Sequence, residues 1–209
     1  FDSAVNCATD ALDRLHTTAE SHNRVMVLEV MGRYAGWIAL YAGIAGGADV
    51  ILIPENPFTY DSILAKIRER EARGRNFTLI VVAEGAHEKD GGFVTTASPE
   101  ANREARLGDI GARVAEEVGR RSGKETRCCV LGHLQRGGTP TTFDRALCSM
   151  FGAMAVELVD RGDFGKMVAF TNQKIGTVNI ADAVGRLKTV PLDGTMARTA
   201  RALGVSLGD

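Results

Sequence analysis

Five short apolar runs, separated by segments of helical spacing, constrain this chain more than any other feature of it. They are VMVLEV (25–30), VILIPE (50–55), FTLIVVAE (77–84), TRCCVLG (126–132) and KMVAFTN (166–172). Near-continuous apolar runs of this length, rich in β-branched residues, are the pattern of strands buried on both faces. Between them, Val5, Ala8, Leu12 and Leu15 recur at helical spacing and predict a helix over 3–17. Further helices are predicted near 35–45, 60–73, 103–121 and 142–161, with a short one near 180–188. A Gly-rich polar stretch (85–100) interrupts the series, and Met196–Leu203 adds helix formers to the tail beyond Pro191. Alternation of this kind predicts an α/β fold with a mainly parallel sheet.

The 209 residues, 44% of them hydrophobic, suffice for a sizeable core, in one domain or one and a half. A net charge of −1 argues against a general nucleic-acid binder, which carries a strong basic excess. Any anion specificity must therefore come from a few locally placed arginines. Cys7, Cys128, Cys129 and Cys148 include no C-x-x-C pair, which argues against structural zinc. The adjacent pair in CCVL suits buried thiols in a strand, and a reducing, cytoplasmic compartment is the default reading. There is no 18-residue apolar run and no signal peptide, so membrane insertion is unsupported. The chain opens with FDSAVNCATDALDRL, already in a helical pattern and without an initiator Met, and reads as the later part of a longer protein.

Parallel α/β sheets place ligands at the carboxyl ends of their strands. The run 25–30 is followed by Met31-Gly32-Arg33, the run 77–84 ends in Glu84 before Gly85, and the run 126–132 leads into His133 and Arg136. Three strand ends thus supply Arg, Glu, His and Arg, each with Gly alongside. In LGHLQRGGTPTTFDRA (131–146), two cationic or switchable donors, two glycines and a helix start all favour an anion close to backbone. Each residue also has a plain reading. Arg33 suits a solvated arginine, Glu84 a helix cap, His133 a core histidine, Gly137-Gly138 a turn, and Thr141-x-x-Asp144 a helix start. As ligands, the two oxygens of Glu84 suit sugar hydroxyls and the fork of Arg136 matches phosphate oxygens.

Arg24 and Arg127 stand at the opposite ends of their strands and cannot join that site within one chain; they are surface charges or serve a neighbouring subunit. The charges of 67–75 read as a solvated helix face, and glycines 43, 46 and 47 as the end of a helix. No G-x-S-x-G elbow, H-E-x-x-H, Walker loop or G-x-G-x-x-G occurs.

The segments EVMGRYAGWIALYAGIAGGADVILIPE (29–55) and ETRCCVLGHLQRGGTPTTFDRAL (125–147) resemble the two signature segments of the 6-phosphofructokinase family, and DALDRLHTTAESHNRVMVLEVMGR is also similar to it. The resemblance covers most of 9–55 and 77–160. It implies a three-layer, Rossmann-like sugar-phosphate domain over 1–134. A segment over 135–188 would then return to a phosphate-donor domain, and a tail follow over 189–209. It also implies a cytoplasmic transferase of glycolysis that moves a phosphoryl group to the 1-hydroxyl of fructose 6-phosphate. The donor would be ATP or pyrophosphate with magnesium, and the assembly a homo-oligomer, usually a tetramer.

By position in those motifs, Met31, Gly32 and Arg33 match the sugar-phosphate loop, with Arg33 also meeting the transferring phosphoryl group. Glu84 matches the residue that binds sugar hydroxyls, and His133 and Arg136 match contacts to the 6-phosphate and sugar. Arg24 and Arg127 match arginines that reach across a subunit boundary. His16, Asp49, Arg73 and Arg75 stand where bacterial members line an effector site, Asp49 in the place of a magnesium ligand. His16 replaces a typical arginine and Phe77 a polar residue. The glycine-rich donor loop and the TIDND-type segment with the catalytic aspartate do not occur in these residues, so the chain alone is expected to be inactive. The alternative reading is a non-catalytic sugar-phosphate-binding or regulatory module.

Overall fold

A computed structural model of the chain describes residues 1–92 and 108–209. In chain order the elements are α1 (Asp2–His22), β1 (Val25–Val30), α2 (Trp37–Ala45), β2 (Val50–Leu52), α3 (Tyr60–Ala72), β3 (Thr78–Ala83), α4 (Ile110–Ser122) and β4 (Thr126–Val130). A 3-10 turn (Gly132–Arg136) follows, then α5 (Thr142–Asp160), β5 (Lys166–Thr171), β6 (Lys174–Asn179), α6 (Ile180–Val184) and α7 (Thr195–Ala202). The residues form two compact units: Ala4–Gly138 with Thr189–Asp209, and Phe1–Ser3 with Thr139–Lys188.

In the first unit all four strands are parallel, in the order β2-β3-β1-β4. The pleat sends alternate residues to opposite faces. Leu28, Val30, Ile51, Val81 and Ala83 share a core with Leu12 of α1, Leu40 of α2 and Ala197 and Ala200 of α7. Val25, Val27, Leu52, Ile80 and Val82 pack on the other face against Ile63 and Ile67 of α3 and Val114 and Val118 of α4. Helices on both faces make the three-layer α/β arrangement, and each fully buried Leu, Ile or Val stabilises it by about 1.5–3 kcal/mol. The tail belongs to this unit: Ser206 continues the sheet beside β2, accepting from the Ile51 amide at 2.9 Å and donating to the Asp49 carbonyl at 3.0 Å.

Several boundaries move for physical reasons. The strand expected over 50–55 ends at Leu52, because Ile53 and Asn56 pair across a turn through Pro54. The strand expected over 126–132 gives way after Val130 to the 3-10 turn. Of the helix expected over 103–121, residues 103–107 lie outside the described residues, as do 93–100 of the polar stretch; α4 accounts for the rest. The charged run 67–75 is not wholly solvated, since Arg70 turns inward to pair with Asp49.

The second unit carries α5, an antiparallel β5–β6 hairpin and α6. The sequence reading lacks β6. Its hairpin turns through Asn172 and Gln173, both at positive φ (51° and 60°), and glutamine is not a residue that announces such a turn. Thr141 caps α5 by accepting from the Asp144 amide at 3.3 Å, as the Thr-x-x-Asp spacing suggests. The Asp144 carboxylate does not reach back to Thr141. It accepts from the Ser3 hydroxyl and amide, at 2.7 and 2.8 Å, which holds its pKa down to about 2.

Candidate functional site

The strand order places β1 between β3 and β4, so the three chain segments that leave their carboxyl ends are neighbours. Met31, Gly32 and Arg33 follow β1, Glu84 follows β3, and His133, Gln135 and Arg136 lie in the 3-10 turn after β4. Side-chain hydrogen bonds tie these segments together. The Gly32 and Arg33 amides donate to Glu84 Oε1 at 3.2 and 3.0 Å, and the Met31 amide donates to Gln135 Oε1 at 2.7 Å. Three successive amides of one loop are therefore held by side chains from the strands on either side.

Arg33 adopts φ +48°, a left-handed conformation that an L-residue with a long side chain keeps only where its surroundings impose it. Gly85 makes the approach feasible: a Cβ there would lie 1.7 Å from the Arg33 carbonyl oxygen. The side chains of Arg33, His133 and Arg136 are exposed, and Glu84 is half-buried. Two guanidinium groups, an imidazole and a carboxylate face solvent around one sheet end. Such a set can neutralise a phosphomonoester and accept hydrogen bonds from hydroxyls.

At α5, two amides of the helix start are already engaged. Its Asp144 amide is taken by Thr141 and its Thr141 amide by Ser3 Oγ at 3.0 Å. At α2, the N-terminal Gly36 amide is taken by Glu55, which also accepts from the Val190 amide at 2.7 Å. Glu55 looked in sequence like the end of a strand; it caps a helix instead.

Glu29, on the last turn of pleat in β1, is only 4% exposed. It accepts from the Gly111 amide at 2.7 Å at the start of α4. Burial raises its pKa, the Gly111 bond opposes this, and Asp109 and Glu84 add to the rise. Its own burial, with Glu29 beside it, pushes the Cys128 thiol up to about 12, which disfavours the thiolate. All four cysteines are unpaired.

Arg24 and Arg127 lie at the far, amino-terminal end of the sheet, as their strand positions require. The structure brings them to each other through Glu125, which pairs with Arg24 Nε at 2.8 Å and Arg127 Nη2 at 2.6 Å. These two paired arginines hold the Glu125 carboxyl below its usual range, Arg24 foremost. Nothing in the sequence reading singled out Glu125.

His16, Asp49, Arg73 and Arg75 also come together. They line a cavity of about 670 Å³ with Lys66, Arg70 and Phe77. Phe77 packs edge-on to His16, with ring centres 5.0 Å apart, and lies 5.1 Å beneath the Arg70 guanidinium. Asp49 is buried, pairs with Arg70 and accepts from the Leu79 amide at 2.9 Å, so its carboxylate is engaged inside the protein. Burial nonetheless raises its pKa against both partners. Among the described residues, no group of three or more His, Cys, Asp or Glu side chains could hold a metal ion.

The phosphofructokinase family model matches residues 1–159. The ATP-dependent 6-phosphofructokinase of Chloroflexus aggregans is 54% identical over 209 residues, all of this chain and 57% of its own length. The pyrophosphate--fructose 6-phosphate 1-phosphotransferase of Amycolatopsis mediterranei is 52% identical over 194 residues, 92% of this chain and 57% of its own. The chain thus spans little more than half the length of these curated relatives. Among solved structures, phosphofructokinase from Saccharomyces cerevisiae matches with a TM-score of 0.73 and 33% identity, over 96% of this chain and 24% of that one. A pyrophosphate-dependent phosphofructokinase from Marinobacter aquaeolei shares the fold, with a TM-score of 0.77 at 24% identity, over 98% of this chain and 51% of that one. With the family's model matching residues 1–159 of its 209, the chain belongs to the phosphofructokinase family.

Proposed function

We propose that this chain carries the fructose 6-phosphate site of a 6-phosphofructokinase, the enzyme that makes fructose 1,6-bisphosphate in glycolysis. The observation that carries the reading is the set of side-chain links to the loop after β1, from Glu84 to the Gly32 and Arg33 amides and from Gln135 to the Met31 amide, which ties the three strand-end segments together. In this reading His133 and Arg136 bind the 6-phosphate and sugar, Glu84 takes sugar hydroxyls on its second oxygen, and Met31 and Gly32 shape the loop. Arg33 serves the transferring phosphoryl group. A phosphomonoester is close to a dianion at neutral pH, and two arginines with a histidine nearly neutralise it. Phosphoryl transfer then depends on positioning and on cationic stabilisation of spread charge more than on covalent chemistry.

The donor is ATP or pyrophosphate, and relatives carry names of both kinds. The residues described here do not fit magnesium or a triphosphate, since they include no metal cluster and the sequence has no Walker or TIDND-type segment. The domain reading places sugar-phosphate binding in 1–134 and assigns 135–188 to a return into a donor domain. It is supported by the second unit's exposed apolar residues: Phe164, Val156 and Val184 are 74%, 70% and 76% exposed. Arg24 and Arg127, paired on Glu125, suit a 6-phosphate presented by a neighbouring copy in a homo-oligomer. The cavity around His16, Arg73 and Arg75 suits an anionic effector, with Asp49 holding Arg70.

Steady-state kinetics of the full-length protein test this. Arg33→Ala should lower kcat more than it raises KM for the sugar phosphate, and Arg127→Ala should mainly raise KM. An Arg33→Ala variant with a raised KM alone would overturn the role of Arg33. The second reading, a sugar-phosphate-binding module without catalysis, predicts binding with no turnover by the full-length protein.

A further inference from the structure

Gln135 stands between His133 and Arg136 and, unlike them, is only 5% exposed. Its Oε1 accepts from the Met31 amide at 2.7 Å. A backbone N–H can only donate, so this bond fixes which end of the carboxamide is oxygen; the flipped amide would set donor against donor. The orientation leaves Nε2, with its two N–H groups, buried and without a hydrogen-bond partner. Buried donors are almost always satisfied, and one left open in a site calls for a specific explanation. A methionine would fill the same volume without the penalty of an unpaired donor. The Met31 bond accounts for the oxygen of the carboxamide and leaves the buried nitrogen without an explanation.

We propose that Gln135 is a ligand-binding residue of this site. Its oxygen fixes the Met31–Arg33 loop while its amide donates to an acceptor oxygen of the bound sugar phosphate. The inference rests on the reading of the site as a sugar-phosphate site. A neutral donor on the 3-10 turn complements the charged groups around it, because an amide discriminates by direction where Arg33, His133 and Arg136 supply charge. Through the Met31 bond, the same side chain couples ligand contact after β4 to the loop that holds Arg33 after β1.

The test is calorimetric titration of the chain with fructose 6-phosphate, comparing the wild type with Gln135→Glu and Gln135→Met. Glutamate keeps an acceptor for the Met31 amide and loses the donor; methionine loses both. We expect Gln135→Glu to bind about tenfold more weakly or worse, with Met31 amide exchange as slow as in the wild type. Gln135→Met should bind weakly and exchange the Met31 amide faster. Binding by Gln135→Glu within about twofold of a wild type that does bind would overturn this inference and leave the site reading intact. A wild type that binds no sugar phosphate would overturn both. Should either variant fail to fold, the side-chain amide resonance of Gln135 in the wild type decides. Its movement and slowed exchange on adding fructose 6-phosphate support the donor role, and an unchanged resonance under saturating ligand overturns it.

Discussion

Glu84 Oε1 lies 3.0 Å from the Arg33 amide and 3.2 Å from that of Gly32, so a carboxylate at the end of β3 fixes a left-handed residue in the loop after β1. Replacing Glu84 by Ala leaves both amides without their acceptor. We expect a loss of about 1–3 kcal/mol in stability and at least a tenfold loss of sugar-phosphate affinity. Gln, which keeps an acceptor, should retain most of the stability. Urea denaturation and calorimetry of both variants check this.

Gly85→Ala tests the close approach behind that bond. The added Cβ would sit 1.7 Å from the Arg33 carbonyl oxygen, a backbone atom that cannot rotate away. We expect a loss of about 3 kcal/mol or more, read from the urea midpoint. A loss under about 1 kcal/mol would show that the loop is free to shift.

Arg33→Gly should separate function from stability. Glycine adopts φ +48° without the steric penalty an arginine carries there. Stability should stay level or rise by up to about 1 kcal/mol while sugar-phosphate affinity falls at least tenfold. Equal losses of both would mean that the arginine side chain holds the loop together.

Glu29 gives a pH signature. Burial raises its folded pKa above the ordinary 4.5, so in the window just above that value the folded state binds more protons than the unfolded. Stability attributable to this group therefore falls as pH rises through the window. Glu29→Gln removes the titration, so the stability of the variant relative to wild type should grow as pH rises above the ordinary 4.5. Asp49, also raised, leaves a residual slope of the same sign in both proteins. Parallel pH curves for variant and wild type would contradict the burial argument.

The framework of the sheet was legible in sequence because both faces of β1, β2 and β3 are covered, which makes the runs VMVLEV, VIL and TLIVVA apolar but for Glu29 and Thr78. The site residues were legible for a related reason: strand ends in a parallel sheet are marked by the break in that pattern. Side-chain roles that depend on tertiary neighbours were not. Gln135 lies inside a segment that otherwise reads as His and Arg before glycines, and only the Met31 contact reveals its burial. Glu55, Glu125 and Glu29 each sit in or beside a strand where a carboxylate reads as unremarkable. Their partners are Gly36, Arg24 with Arg127, and Gly111, all distant in sequence except Arg127. The strand β6 escaped because KIGTVN has little apolar content and its face stays exposed.

The most direct measurement is calorimetric titration of the 209-residue chain with fructose 6-phosphate, using fructose 1-phosphate as control and sedimentation to report its assembly. We expect selective binding of fructose 6-phosphate, because Arg33, Glu84, His133 and Arg136 lie on segments that leave neighbouring strand ends and are tied together by hydrogen bonds. A folded, assembled chain that binds neither sugar phosphate, or both equally, would contradict the assignment of that surface as the sugar-phosphate site.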